Sequence, residues 1–501
     1  MVGKQAIIDL GSNSVRIIIM EIFGDGSYKL VDEGKETVRL SEGMGEKNIL
    51  TEASIELCIE TLITFKQLME SHRVKEAHLV ATAAVRKASN QSYFLDRIRK
   101  ATGLSFTVIS GEMEAYYAYL GVINTISIKD CLIIDIGGGS TELIWVQDRG
   151  LKEAISLPFG AITLTEALSR GDGNSSSMLR RIEKDIKRKI MSVAWIDQVE
   201  GLPIVGIGGT IRTLGKISKR KSGIPLPSLH NYHMRLTEVI KIYDKVMKSS
   251  LKERRRIPGI GRERSDIIAG GLIPIKILSD ELKAKEMIIS GKGLREGIFY
   301  HNYFKDSVKV VDNAINHSIN NLLLLYKANL EHSRQVTRLA LSIFDQTTGL
   351  HRLDNDSRRL LEVAAQIHDI GSYIDYNNHP QHGFYLVLNS DLNGLSNKEL
   401  IMVAYIVAMH EDDSKDDWKT YRALVAREDY AVILSLSKIL IIAEGLDRGE
   451  NGAVRHVQCN ITSKAVEIQL EEEGNCLLEK TTSGKYAKEL KKLFNKKLYI
   501  V

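Results

Sequence analysis

Twice along this chain a run of apolar residues ends in an aspartate and then breaks into a Gly- and Ser-rich turn. The first instance is Ala6-Ile7-Ile8-Asp9-Leu10-Gly11-Ser12-Asn13-Ser14-Val15-Arg16, and the second is Leu132-Ile133-Ile134-Asp135-Ile136-Gly137-Gly138-Gly139-Ser140-Thr141-Glu142-Leu143-Ile144. Glycine in such a turn lets successive backbone N–H groups approach a phosphate. Ser12, Ser14, Ser140 and Thr141 add hydroxyl donors, while Asp9 or Asp135 can orient a metal-bound water or hold a cation against the anion. This residue set suits the gripping and cleavage of a phosphoric anhydride. One turn alone is equally explained by hairpin geometry and a capping aspartate. Two copies roughly 125 residues apart point instead to duplicated α/β domains closing on one cleft.

The elements that must position these turns follow from the pattern. Val15 to Met20 and Leu143 to Val146 predict strands that return from the turns as hairpins. A helix is predicted from about Thr51 to His72, strands at His78 to Thr82 and Thr107 to Ile109, and a helix opening at Glu114 and running to Gly121. A second α/β unit shows a Gly/Ser-rich break, Gly171 to Ser177, before a charged helix. From about residue 301 the pattern turns nearly all helical, with apolar periodicity over Ser318 to Tyr326 and His332 to Phe344. In the last stretch, Val454 to Ile461 and Ala465 to Leu470 predict a β-hairpin, and Lys485 to Lys497 a basic amphipathic helix. That stretch reads as a small α+β module docked beside the helical domain, or as a solvated tail. The expected division is 1–125, 126–300, 301–450 and 451–501, with mixed sheets flanked by helices in the first two.

At 501 residues and 44% hydrophobic, the chain is long enough for several domains, each with its own core. It has no apolar run long enough for a membrane span, and its N-terminus runs straight into a strand, so neither a signal peptide nor a membrane partner is expected. Cys58, Cys131, Cys459 and Cys476 are scattered without a CxxC pair, as expected of a reducing cytoplasm and not of a zinc site or disulfide frame. A net charge of +5 makes the protein no general nucleic-acid binder. Basic residues do gather at Arg180 to Lys189, at Lys216 to Lys221, and at Lys252 to Arg264. These either steer a polyanion or form solvated helix faces, since Glu183, Asp185, Glu253 and Glu263 interleave with them.

Asp9 to Ser14 and Asp135 to Glu142 resemble the two phosphate motifs of the exopolyphosphatase and guanosine pentaphosphatase (Ppx/GppA) family, part of the actin, sugar kinase and heat-shock ATPase superfamily. Ala81 to Arg86, Ile109 to Ala115 and Gly206 to Leu214 agree with it in the expected order, as does Gly293 to Gly297, so the resemblance covers about the first 300 residues. It implies two actin-like (ribonuclease H-like) α/β domains and a Mg²⁺-dependent hydrolase. Glu114 takes the position of the family's catalytic glutamate and is expected to act as general base; Glu112 is its local rival, and on residue chemistry alone either is also a helix N-terminal charge. Arg86 offers a forked cationic contact. Phosphate contacts are expected from Asp9, Gly11, Ser12, Asn13, Ser14, Gly137, Gly138, Gly139, Ser140 and Thr141, with metal contacts from Asp135 and Glu142. Arg16 stands between a phosphate contact and a structural ion pair. Gly208, Gly209 and Thr210 lie where superfamily relatives contact adenosine, and either touch a nucleotide or pack their turn against the sheet.

The helical region resembles an HD-type metal phosphohydrolase in His332 and the pair His368-Asp369, which that resemblance makes ligands of a divalent ion. His379, His382 and His410 are further candidates. The closing aspartate of that motif is replaced by Glu444, with Asp447 one helical turn on, so a helical scaffold with inherited histidines is the alternative. The expected function is processive release of orthophosphate from inorganic polyphosphate by a cytoplasmic enzyme that forms a homodimer, with the basic clusters and C-terminal domains as the track. The alternatives are a guanosine pentaphosphate 5′-phosphohydrolase and a non-catalytic nucleotide- or polyphosphate-binding regulator. A sugar or acid kinase is disfavoured because no alcohol-binding segment is recognisable.

Overall fold

The structure, a computed structural model, describes residues 2–45, 47–169, 175–226, 228–305, 308–411 and 418–501; residues 171–174 of the Gly/Ser-rich break fall outside these. The chain forms one compact unit from Met1–Gly223 and Ser228–Ala314, and a second formed chiefly by Ile315–Val501. The expected change near residue 301 thus falls at Ala314.

The first unit holds two sheets. Strands β1 (Gly3–Leu10), β2 (Val15–Ile22), β3 (Tyr28–Glu36), β4 (Glu76–Ala81) and β5 (Thr107–Val108) lie in the order β3-β2-β1-β4-β5. Strands β6 (Cys131–Ile136), β7 (Thr141–Gln147), β8 (Gly150–Leu157), β9 (Ile204–Ile207), β10 (Tyr232–Arg235) and β11 (Glu286–Ile289) lie in the order β10-β11-β9-β6-β7-β8. Read from its far edge, β8-β7-β6-β9-β11 repeats the first sheet, with two antiparallel pairings followed by two parallel ones. The duplicated α/β architecture expected from the two turns is present.

Side-chain alternation explains why both sheets are covered on two faces. In β1 and β2, Ile8, Leu10, Ile17 and Ile19 join a core with Ile55, Leu62 and Phe65 of helix Glu52–Ser71. Ile7, Ile18 and Met20 point the other way and meet Ile298, Phe299 and Tyr300 of helix Leu294–Tyr303. The second sheet buries Ile133, Ile144, Val205 and Ile288 against Ala115, Ala118 and Leu120 of helix Gly111–Ile123. The two sheets therefore exchange helices: the one preceding β6 covers the second sheet, and the one following β11 returns to the first. Where these helices cross, Gly297 lies so close to the Tyr117 carbonyl that a β-carbon would overlap it, and Gly121 faces the Gly293 carbonyl in the same way.

The second unit packs helices Leu330–Gln346, Asn355–Ile367, His379–Asn389, Asn397–Ala408 and Arg427–Gly445. Strands β12 (Val454–Ile461) and β13 (Ala465–Glu472) form the predicted hairpin, and β14 (Lys497–Ile500) adds a parallel third strand absent from the sequence reading. Gln346 docks this sheet on the first of those helices, donating to the Val457 carbonyl (2.9 Å) and accepting from the Cys459 amide (2.8 Å). The helix expected over Lys485 to Lys497 is present but shorter, Ala487–Phe494, and a second short helix, Leu477–Lys485, precedes it. Among the described residues no helix is long and apolar enough to cross a membrane.

Candidate active site

The two hairpin turns meet. Each closes with the same bond, the Gly11 amide donating to the Ser14 carbonyl (3.2 Å) and the Gly137 amide to that of Ser140 (3.0 Å). A β-carbon at Gly138 would lie 3.0 Å from Ser12 Cβ and 3.3 Å from the Asn13 nitrogen, so glycine is what lets the second turn press against the first. Register places Asp9 opposite Arg16 in one hairpin and Asp135 opposite Glu142 in the other, so equivalent positions carry opposite charges. Around the turns a cleft enclosing about 110 Å³ is lined by Asp9, Gly11, Ser12, Asn13, Ser14, Arg16, Glu114, Asp135, Gly137, Gly138, Ser140, Glu142, Gly208 and Gly209.

Glu114 reaches this cleft from the first turn of helix Gly111–Ile123, which the Ser110 hydroxyl caps by accepting from the Met113 amide (3.2 Å). The helix starts three residues earlier than the sequence reading put it, which turns Glu114 inward and leaves Glu112 exposed. Arg86 fixes Glu114 by donating from one nitrogen to Glu114 Oε2 (3.1 Å) and to the Ile109 carbonyl (2.8 Å). Glu142 accepts from the Ser156 hydroxyl (2.8 Å).

Charge in the cleft is arranged in two sets, carboxylates and arginines, each repelling within itself. Burial, then the neighbouring Glu142, raises the Glu114 carboxyl well above its usual range, with Arg86 opposing. Burial and Asp135 push Glu142 to about 7, and burial with Asp9 pushes Asp135 to about 6. Asp9 is also raised by burial, against the pull of Arg16. On the other side, burial and fellow arginines lower Arg16 to about 9, Arg212 to about 10 and Arg264 to about 10. A divalent cation on the carboxylates and a polyanion on the arginines would relieve both sets together. Buried polar atoms without partners agree: Asp9 Oδ1 and both polar atoms of the Asn13 amide face the cleft unbonded.

Three expected contacts lie elsewhere. Thr141 turns away, its hydroxyl donating to the Phe159 carbonyl (2.8 Å). Thr210 is buried against Gly271 and does not line the cleft, so of the three contacts expected there Gly208 and Gly209 reach it. Gly139 uses its carbonyl to accept from Lys87 (2.8 Å). Sequence reasoning missed Arg212, Arg264 and Arg295. Arg212 and Arg295 sat inside segments already singled out, whereas Arg264 read as part of a surface cluster. Its guanidinium lies against Gly209, where any side chain would collide with it. With Arg16, Lys35, Arg212, Lys216 and Arg295 it lines a recess of about 310 Å³ that shares its arginines with the cleft, and in which Glu33 and Glu263 are the acidic residues. The Arg180 to Lys189 cluster does not contribute; Lys187 pairs with Glu281, and Arg188 and Lys189 with Asp185, on solvated faces.

Residues 18–305 match the Ppx/GppA phosphatase family, and residues 316–484 match domain III of Ppx/GppA phosphatases. The chain belongs to the Ppx/GppA phosphatase family. A family member from Aquifex aeolicus is 29% identical over 62% of this chain and 100% of its own, with a TM-score of 0.52. A PPX-GPPA enzyme from the same organism is 30% identical over 60% of this chain and 99% of its own, with a TM-score of 0.51. An exopolyphosphatase from Cytophaga hutchinsonii shares the fold at 23% identity, over 60% of this chain and 97% of its own, with a TM-score of 0.54.

In the second unit of this Ppx/GppA chain the structure brings His332, His368 and Asp369 together, their ligating atoms all within 4.8 Å of one another. Glu444 occupies the closing position, its Oε2 lying 2.9 Å from His332 Nε2 and 3.2 Å from His368 Nε2. Asp447 instead holds the far side of the first ring, 2.8 Å from His332 Nδ1. His379 and His410 join Asp369 in a second such group, whereas His382 belongs to neither among the described residues.

Proposed function

We propose that this phosphatase is an exopolyphosphatase that releases orthophosphate processively from the ends of inorganic polyphosphate. The observation that carries this reading is the run of largely buried cations, Arg16, Arg212, Arg264 and Arg295, that line both the cleft and a recess where Lys35 and Lys216 balance the added charge of Glu33 and Glu263. Such a path suits several successive phosphates better than one. The terminal phosphoryl sits between the paired turns, where Ser12, Ser14 and Ser140 present hydroxyls and Arg16 neutralises charge. Glu114 takes the proton of the attacking water, and Arg86 holds its carboxylate in position. Asp135 and Glu142 line the cleft with Asp9, and these carboxylates would supply the oxygen ligands of a Mg²⁺ ion. When bound, that ion neutralises charge on the transferred phosphoryl.

The reading is tested by orthophosphate release from long-chain polyphosphate run beside guanosine pentaphosphate, each also tried as competitor of the other. The chain polymer should be the better substrate and the stronger competitor, and full-length chains should persist while orthophosphate accumulates. Preference for the nucleotide would make the enzyme a guanosine pentaphosphate 5′-phosphohydrolase. Absence of release from either would make it a binding regulator.

With Glu114 as base, activity is lost as pH falls through its raised pKa, so the acidic limb of kcat/KM lies above the ordinary carboxylate range. Arg86 favours the ionised form of Glu114. Arg86→Gln should therefore move that limb to higher pH. An unmoved limb would detach it from Glu114.

A further inference from the structure

Because the two hairpins are duplicates, each position in one turn has a counterpart in the other: Gly11 and Gly137, Ser12 and Gly138, Asn13 and Gly139, Ser14 and Ser140. In the first turn two carbonyls are tied back by main chain, that of Ser12 accepting from the Ser41 amide (3.1 Å) and that of Asn13 from the Arg39 amide (3.0 Å). In the second turn the Gly138 carbonyl likewise accepts from the Ile162 amide (2.9 Å), but the Gly139 carbonyl accepts from the Lys87 ammonium (2.8 Å). A side chain does at Gly139 what main chain does at Asn13.

The tie has a consequence for the cleft. A trans peptide points its C=O and the following N–H in opposite directions, so drawing the Gly139 carbonyl toward Lys87 turns the Ser140 amide the other way, and Ser140 lines the cleft. Among the described residues the amides of Gly138, Gly139 and Ser140 donate to no acceptor, which leaves them for the oxygens of a phosphoryl group. Gly139 has no β-carbon to restrict its own backbone, so this peptide is the one that needs an outside tether. Lys87 does not itself line the cleft. It ends the short helix Ala83–Lys87, and the residue before it, Arg86, is the one that holds Glu114. One helix beside the first sheet thus fixes both Glu114 and a phosphate turn of the second sheet.

We propose that Lys87 is a positioning residue for the hydrolysis, holding the Gly139–Ser140 peptide so that the Ser140 amide faces the transferred phosphoryl. The assignment rests on the paired turns being the hydrolytic site. The competing explanation is charge: burial and Arg86 lower the pKa of Lys87 while Glu142 and Glu114 raise it, so the ammonium and these carboxylates act on one another.

The test compares Lys87→Met, which cannot donate, with Lys87→Arg, which can, and runs Glu114→Gln beside them, on orthophosphate release from polyphosphate or guanosine pentaphosphate, whichever the parent hydrolyses. Lys87→Met should lower kcat by about 10–100-fold, the scale of a misplaced contact to the reacting group, with KM little changed, and should weaken inhibition by orthovanadate, the probe of the transferred phosphoryl, to a similar extent. Lys87→Arg should recover most of both. Lys87 is exposed, so the Tm of Lys87→Met should stay close to that of the parent. The loss should persist on the pH-independent plateau above the acidic limb. A loss that vanishes there would assign Lys87 to the charge balance of Glu114 and Glu142. A raised KM with unchanged kcat would make it a direct substrate contact, and a fall in Tm that accounts for the lost activity would make it structural; each of these overturns the proposal. Full activity in Lys87→Met beside an inactive Glu114→Gln overturns it too, and leaves the cleft as the hydrolytic site. A parent that releases orthophosphate from neither substrate, or a fully active Glu114→Gln, would remove the reading of the cleft and the role of Lys87 with it.

Discussion

Glu114→Gln is expected to lower orthophosphate release from long-chain polyphosphate by about 10²–10⁴-fold, the usual contribution of a positioned general base. The substitution keeps the shape of the side chain and its acceptor oxygen toward Arg86, and removes only the capacity to take a proton. Binding of the polymer should survive, because the arginines and the recess are untouched. Stability separates this outcome from unfolding. The folded state holds Glu114 with a raised pKa, so its ionised form is disfavoured at neutral pH by burial and by Glu142. A native state that binds more protons than the unfolded chain loses stability as pH rises from the ordinary carboxylate range through the raised pKa. The neutral glutamine removes that loss, so Tm at pH 8 should be equal to or higher than that of the parent. Unchanged release would take Glu114 out of the mechanism, and a lowered Tm would assign its effect to folding.

The second large effect is structural. Gly297→Ala should destabilise the first unit by about 3 kcal/mol or more, the upper end for overpacking, because the new methyl meets main chain and no flexible side chain can yield. The obstructing atom is the Tyr117 carbonyl in helix Gly111–Ile123, and that helix carries Glu114 in its first turn while helix Leu294–Tyr303 carries Arg295 in its own. Forcing the helices apart therefore displaces two cleft residues at once, and activity should fall together with the denaturation midpoint. Gly24→Ala is the control, since a β-carbon there meets nothing within 4 Å and should leave both unchanged. Equal behaviour of the two variants would show that the helix crossing tolerates separation.

The sequence was most informative where function depends on a short segment. A strand, an aspartate and a glycine turn are local objects, so both hairpins, the duplication and the cleft they form were legible from residues 6–16 and 132–144. Glu114 was legible by resemblance, although the helix boundary that turns it inward is set by the Ser110 cap. Orientation within those segments was not legible. Thr141 and Ser140 are adjacent hydroxyls, and strand alternation sends one to the cleft and the other to the Phe159 carbonyl.

What residue types and spacing determined by themselves is the chemistry on offer: two phosphate turns, carboxylates for a cation and a base, and histidines with metal-ligand character. The tertiary structure decided which of these meet. Arg264 left an apparently solvated cluster to cover Gly209, and each sheet took one covering helix from the other half of the chain. His332 and Asp447, 115 positions apart, came within 2.8 Å. The physical reason is that strand and helix periods are written in neighbouring residues, whereas convergence of charges depends on how whole elements pack, and packing is settled by the summed burial of apolar faces that no single segment contains.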